Sequence, residues 1–305
     1  MAKLENVFSW SHSRRNTFND CKRRYYYHYY GSWGGWERDA GERQRELYLH
    51  KNLVNRWIWS GKVVHEAIER ILKESREGNS LQDFQFYEDA ITERMRSDFL
   101  DSKNQKYHAR PNRILGLTEH HYGEELEGEE WKRLHQSTLE CLKVFWDSEL
   151  YGQLRETPPE NVLEIEDLTH FLIGDLKVWV SLDYCRSHQD LVHIYDWKTG
   201  RSEKEATAEQ LACYALYAKE TWGVEVEKVQ LVEFNLAKNK VIDYPIREVD
   251  LIEVQSEILD SALSMQSLLF DKPGNMAREE DFSPTDDEET CRRCSFRGVC
   301  SDSLS

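Results

Sequence analysis

Between positions 181 and 200 the chain reads Ser181-Leu182-Asp183-Tyr184 and then Ile194-Tyr195-Asp196-Trp197-Lys198-Thr199-Gly200, in two β-rich runs joined by a turn short enough for a hairpin. Side chains alternate along a strand, so Asp196 and Lys198 project from one face together with Ile194. Asp183, near the end of the preceding run, can be brought alongside them. Two carboxylates held in this way offer hard oxygen ligands to a divalent cation and leave coordination positions open for water and a phosphate oxygen. A lysine beside them can orient an attacking water or offset charge that builds on the phosphate. By itself an Asp-x-Lys on a strand is a weak signal, because exposed strands carry the same residues.

Other reactive groups lie elsewhere. Glu164 and Glu166 alternate onto one face of the β-rich run ahead of Asp183 and offer a further carboxylate. Gln210 and Tyr214 stand one helical turn apart and can face one site, although an amphipathic helix with an ordinary amide and a core tyrosine reads the same way. His65 sits at the edge of an apolar helical stripe, where a lone histidine is more often a satisfied core residue than a ligand. The densest group is Cys291, Cys294 and Cys300, a C-x2-C-x5-C run that packing does not explain. A site of this kind asks for a fourth sulfur, and Cys21 is the candidate; thiolates serve zinc and iron–sulfur clusters alike, so ligand type leaves both open. Cys141, Cys185 and Cys213 read as buried, inert thiols.

The Ile194-to-Gly200 segment resembles the signature of the PD-(D/E)XK nuclease superfamily in its RecB-like branch, and the Thr-Gly after the lysine is part of the likeness. Ser181-Leu182-Asp183-Tyr184 is similar to the branch's metal-ligand aspartate motif, with Ser181 where the family commonly has glycine. Gln210-Leu211-Ala212-Cys213-Tyr214 resembles its Gln-x-x-x-Tyr motif. One early cysteine and a late C-x2-C-x5-C run resemble the iron–sulfur staple of the AddB nuclease domain and of CRISPR-associated RecB-like nucleases, with Lys22 where proline often follows the first cysteine. The likeness covers about residues 9–74 and 160–300. It implies His65, Asp183 and Asp196 as ligands of Mg²⁺ or Mn²⁺. It implies Asp183, Asp196, Lys198, Gln210, Tyr214 and one of Glu164 and Glu166, with Glu166 preferred, as the catalytic set. It also implies Cys21, Cys291, Cys294 and Cys300 as ligands of a [4Fe-4S] cluster, with zinc as the rival occupant. The expected activity is hydrolysis of DNA phosphodiesters by an exonuclease on single-stranded DNA or DNA ends, in repair or recombination, CRISPR adaptation or phage DNA processing. A non-catalytic, cluster-stapled nucleic-acid-binding or assembly module is the alternative.

Elements must carry these groups. Apolar spacing predicts a helix over residues 11–30, with Phe18, Cys21, Tyr25 and Tyr29 on one face and Gly31, Gly34 and Gly35 ending it. A second helix is predicted over 59–75, where Val64, Ala67, Ile68 and Ile71 form a stripe. Residues 81–151 read as polar helices interrupted by Pro111, Gly116, Gly123 and Gly128, a helical insertion without chemistry of its own. Strands are predicted over 162–172, 176–185 and 191–198, with the turn at 186–190, followed by a helix over 203–221, a strand over 229–236, a helix over 249–269 and a polar tail. The expected architecture is α/β: a restriction-endonuclease-like core with a central mixed sheet flanked by helices, plus the helical insertion and a terminal Fe–S staple. It reads as one nuclease domain over 1–305, divided into N-terminal helices (1–74), insertion (75–159), catalytic core (160–270) and cysteine segment (271–305).

The 305 residues, 39% hydrophobic and 31% charged, suit a globular chain rather than a disordered one. No run approaches the roughly 20 apolar residues of a membrane span, and the start lacks a basic-then-apolar leader pattern, so a cytoplasmic location without a membrane partner is expected. The net charge of −16 opposes generic affinity for DNA, so any DNA surface must be local. Joining Cys21 to the late cysteines would set Lys22, Arg23 and Arg24 beside Arg292, Arg293 and Arg297, the candidate contact with the DNA backbone. Tyr25, Tyr26, Tyr27, Tyr29 and Phe296 are candidate stacking surfaces, most of them expected in the core. No Gly-x-x-x-x-Gly-Lys-Ser/Thr loop is present, so the expectation is a chain that either works alone on DNA ends or serves a partner such as a helicase or a CRISPR integration complex.

Overall fold

A computed structural model describes residues 4–78, 81–200 and 206–301. The chain opens with a short strand β1 (Trp10–Ser11) and helix α1 (His12–Asp20), capped by Ser11, whose side chain accepts the Arg14 N–H. The helix expected over 11–30 is interrupted at Cys21, where the backbone is extended (φ −164°, ψ 116°). Helix α2 (Lys22–Tyr26) restarts behind it with the Cys21 sulfur accepting the Arg24 N–H, and a wider turn covers Tyr27–Gly31. Phe18 and Tyr25 still reach the core, but Cys21 is turned away from the helical stripe to which spacing assigns it. Then come α3 (Glu42–Lys51), β2 (Leu53–Val54) and α4 (Arg56–Arg76), the long helix expected over 59–75. Val63, Val64, Ile68, Ile71 and Leu72 bury one face of α4, and the Asn55 side chain caps its start.

The middle of the chain supplies α5 (Phe84–Lys103), β3 (Gly116–Leu117), α6 (Thr118–His121), α7 (Gly128–Trp146) and α8 (Glu149–Arg155). The second half supplies β4 (Val162–Glu164), β5 (Leu168–Ile173), β6 (Leu176–Ser181), β7 (Tyr184–His188), β8 (Leu191–Lys198), α9 (Ala206–Trp222), β9 (Val229–Asn235), β10 (Lys240–Tyr244), α10 (Glu248–Ser267) and α11 (Glu288–Arg293). A five-stranded sheet runs in the order β10-β9-β8-β7-β4, and a three-stranded sheet in the order β1-β6-β5. The larger sheet is mixed: β8 is antiparallel to β7 and parallel to β9, with α9 as the crossover. The molecule is thus an α/β fold with mixed sheets flanked by helices.

β8 is buried on both faces. Val192 and Ile194 enter a core with Leu211 and Ala215 of α9 and Ile258 of α10, while Tyr195 and Trp197 enter a second core with Ile68 of α4 and Leu142 and Phe145 of α7. Phe145 meets Trp197 edge to face at 5.4 Å, and Ser60 of α4 and Thr138 of α7 share a buried hydrogen bond of 2.8 Å. The segment expected as a helical insertion is helical, and its α7 packs over the Tyr195 and Trp197 face of the sheet.

The turn expected over 186–190 narrows to Gln189 and Asp190, both at positive φ (52° and 61°), which matches the twist of the two strands it joins. The strands expected over 162–172 and 176–185 are each broken in the middle. β4 and β7 pair in the larger sheet, β5 and β6 pair in the smaller one, and the chain crosses between sheets at residues 165–167 and 182–183. The two breaks face each other, with the Glu166 N–H donating to the Leu182 carbonyl at 2.9 Å.

Candidate metal centre

The crossing between sheets is where the acidic side chains gather. Glu166 takes φ 53° in the break after β4, which swings its carboxylate away from the side that Glu164 occupies. The expectation that the two glutamates share a face does not hold: Glu164 accepts a hydrogen bond from the Tyr217 hydroxyl, whereas Glu166 Oε1 lies 2.9 Å from His65 Nδ1. His65 Nδ1 is also 3.6 Å from Asp183 Oδ1, and its Nε2 is 3.1 Å from the Trp197 carbonyl. Asp183 Oδ2 accepts the Trp197 N–H at 2.6 Å, so the backbone of one β8 residue holds both the aspartate and the histidine. α4 can lie this close because residue 61 is glycine; a Cβ there would stand 2.9 Å from Thr199 Oγ1.

Among the described residues, the group of His, Cys, Asp and Glu ligand atoms lying within 4.8 Å of one another is His65, Glu166 and Asp183. Asp196, the third ligand expected from sequence, is turned toward Lys198. Lys198 Nζ is 2.7 Å from Asp196 Oδ2 in an ion pair that is not a well-aligned hydrogen bond, so this buried oxygen keeps unsatisfied lone pairs. Burial first, then the charge of Asp183, raises the Asp196 carboxyl to about 7 against the pull of Lys198. Burial also raises Glu166, opposed by the hydrogen bond from His65. Burial alone would lower His65, but Asp183 and Glu166 together hold its imidazole well above the usual range. Crowded carboxylates, an orphaned carboxylate oxygen and an imidazole fit a divalent cation, whose charge offsets the mutual repulsion.

On the α9 side, Lys198 Nζ donates to Gln210 Oε1 at 3.0 Å, Gln210 Nε2 donates to the Tyr214 hydroxyl at 2.7 Å, and that hydroxyl donates to the Ser181 carbonyl at 2.7 Å. Burial and the charges of Asp196 and Asp183 push the Tyr214 phenol upward, so it stays a neutral donor. The chain of hydrogen bonds fixes the lysine and ties β8, α9 and β6 together. Sequence reasoning missed the backbone of Trp197, the Ser181 carbonyl and the Gly61 contact; of these only the glycine left a sign, as a poor helix former inside a strong helical pattern.

Cys21, Cys291, Cys294 and Cys300 line one small cavity, although among the described residues no three of their sulfurs are drawn within 4.8 Å. Cys294 is pushed up to about 11 by burial, and Cys291 is raised by burial and by Cys21 and Cys300. Of the six cations expected here, Arg23, Arg24 and Arg297 line the cavity with the cysteines and Lys22 lines a separate one beside α10, and they are not free. Arg23 pairs with Glu279 at 3.3 Å, Arg24 with Asp20 at 3.7 Å, and Arg292 with Glu289 at 3.4 Å. Arg293 pairs with Glu289 and Arg297 with Glu124, while Lys22 leans over the Phe18 ring. The expected stacking surface is not exposed either: Tyr25, Tyr27 and Phe296 are fully buried, and Tyr26 and Tyr29 pack half-buried against the core. Residues this large and apolar fill the joint between the chain ends instead.

Among solved structures, the chain resembles the crystal structure of SSO0001, with 16% identity over 78% of this chain and 97% of that one and a TM-score of 0.31. No curated protein matches. The model of the PD-(D/E)XK nuclease superfamily matches residues 9–301, nearly the whole chain and every residue of the centre just described, and the protein belongs to that superfamily.

Proposed function

We propose that this protein is a Mg²⁺- or Mn²⁺-dependent DNA nuclease of the RecB-like kind, acting as an exonuclease on single-stranded DNA or DNA ends. The observation that carries the reading is the continuity of the site: His65, Glu166 and Asp183 at ligand distance, beside the Asp196–Lys198 ion pair. His65, Glu166, Asp183 and Asp196 would hold the cation, which when bound supplies polarisation of the phosphate and a lowered pKa for water. Lys198, fixed by Gln210, positions the attacking water and balances charge on the phosphate. The water oxygen forms a bond to phosphorus as the bond from phosphorus to the leaving sugar oxygen breaks, and the proton that the water loses is balanced by one taken up on that oxygen, which leaves as a hydroxyl. The chain has no phosphate loop for ATP, so duplex DNA would reach it through a partner that unwinds, such as a helicase, or within a CRISPR integration complex.

We assign the cysteine cavity to a [4Fe-4S] cluster rather than zinc. Thiolates lining one cavity serve either metal, and the choice is supported by the likeness of the early cysteine and the late C-x2-C-x5-C run to the iron–sulfur staple. It would bind the two ends of the chain, a structural role.

The test is degradation of labelled single-stranded DNA by anaerobically purified protein with Mn²⁺, beside Asp196→Ala and Lys198→Ala. Degradation by the wild type alone is expected, with a loss on the order of 10²-fold or more in either variant. Equal inertness of all three, in protein that is brown and folded, would remove the catalytic reading. Zinc without iron or sulfide in the purified protein would overturn the cluster assignment.

A further inference from the structure

At the start of α1, within the electrostatic reach of Lys198, stands a histidine not assigned to the site above. β1 runs parallel to β6, with Trp10 beside Val178 and Ser11 beside Trp179. The chain leaving β1 therefore heads toward the end of β6 where Tyr214 holds the Ser181 carbonyl and Asp183 follows. The first residue of α1 at that point is His12. One turn later Arg15 pairs with Glu209, the neighbour of Gln210, and with Glu257 at 3.3 Å, which fixes this face of α1 against α9 and α10. His12 lies three residues before Arg15 and shares that face. It is half-buried, and its ring nitrogens have no hydrogen-bond partner among the described residues.

The electrostatics agree with this placement. Burial first, then the charge of Arg15, with Lys198 adding to it against the pull of Glu209, lowers the His12 imidazole to about 4. The ring is neutral near pH 7 and offers one N–H donor. Arg15 is already committed to two carboxylates, and Lys198 to Asp196 and Gln210. An uncommitted donor next to cations and at the rim of a phosphate-cleaving site is complementary to an anionic oxygen that arrives with the substrate.

We propose that His12 is a substrate-binding residue: its imidazole N–H donates to a phosphate of the bound strand adjacent to the phosphate held at Lys198. This rests on the nuclease reading above, and it assigns a phosphate subsite at the start of α1.

The experiment measures binding of full-length protein to fluorescent single-stranded DNA under Ca²⁺, and turnover under Mn²⁺. It uses wild type, His12→Ala and His12→Asn, and a set of strands each carrying one uncharged methylphosphonate. On native DNA, His12→Ala should bind roughly tenfold more weakly, the effect of losing one hydrogen bond to a charged acceptor. The loss should appear in KM with kcat little changed, and His12→Asn, which keeps a donor, should recover most of it. One methylphosphonate position should weaken wild type by a similar factor and His12→Ala not at all. A purely structural histidine would lower Tm and weaken every strand equally, without rescue by asparagine, and that result overturns the proposal, as does unchanged binding by His12→Ala. If wild type and Lys198→Ala are both inert in turnover, the nuclease reading fails separately, and the binding series still decides the role of His12. Absence of DNA binding by wild type overturns both.

Discussion

Asp196 is 1% exposed, and its Oδ2 lacks a hydrogen bond, so its negative charge depends on Lys198 and on whatever cation the site receives. In an unfolded chain this carboxyl ionises near its ordinary value of 3.8, and in the folded protein near 7. Between those values the folded state holds the extra proton, so stability falls as pH rises through the interval, and the cost is complete above about 7. The same burial that prepares the carboxylate for a cation is therefore a burden without one. Asp196→Asn keeps the shape and removes the charge. In EDTA at pH 8 the variant should melt a few degrees above wild type, a shift consistent with relief of one or two kcal/mol in a chain of this size. The difference should vanish near pH 4, where both side chains are uncharged, while nuclease activity is lost at every pH. Thermal melts across that range check it; a variant that melts lower at pH 8 would mean that the Lys198 pair outweighs desolvation.

The elements that hold these side chains meet at one tight contact, where α4 crosses the end of β8. Gly61 sits there because a Cβ would come within 2.9 Å of Thr199 Oγ1, and that hydroxyl is on a short, branched side chain with little room to yield. Gly61→Ala should push α4 outward by a few tenths of an ångström and carry His65 with it, reducing kcat about tenfold or more while the fold persists. Thr199→Ala in the same chain should restore most of the rate, whereas Thr199→Ser, which keeps the oxygen, should not. A double-mutant cycle on kcat measures the coupling, and additive losses would place the effect elsewhere. The course of α4 and β8 was legible because their apolar periods are long and unbroken, whereas Lys198, Gln210 and Tyr214 were singled out by the family resemblance, since their spacing alone reads equally as an exposed strand and an ordinary amphipathic helix. The breaks at 165–167 and 182–183 were not legible, since alternation of side chains runs straight through them. For that reason Glu164 and Glu166 read as equivalents, and only φ 53° at Glu166 separates the one facing His65 from the one bonded to Tyr217. The middle helices read only as polar, so neither the apolar face of α7 nor what it covers, the aromatic side of β8 at Tyr195 and Trp197, was legible.

Taken over the whole chain, the charge of −16 poses the question of how an anionic substrate approaches an anionic protein. Among the described residues no helix is long and apolar enough to cross a membrane. The joint between the chain ends carries the densest cations, yet Glu289 sits between Arg292 and Arg293, and Glu124 holds Arg297, whose guanidinium also lies 3.9 Å over the Tyr122 ring. Exposed pairs of this kind contribute little to stability, about 0–1 kcal/mol each, so a phosphate can compete for the arginines at small cost. The carboxylates then act as a brake on nonspecific binding, because each arginine must leave a partner before it meets DNA. Glu289→Gln with Glu124→Gln should release the Arg293 and Arg297 guanidinium groups, Arg292 keeping Glu288 as a partner, without changing Tm appreciably. Affinity for single-stranded DNA at low salt should rise by roughly tenfold, and the slope of log affinity against log salt should steepen by about two phosphate contacts, near −0.7 for each on a single strand. Anisotropy titrations between 50 and 200 mM salt give both quantities. A steeper slope with kcat unchanged would mark this end as the backbone contact of the bound strand. An unchanged slope would mean that the strand lies away from the cysteine joint and is gripped at the metal centre alone.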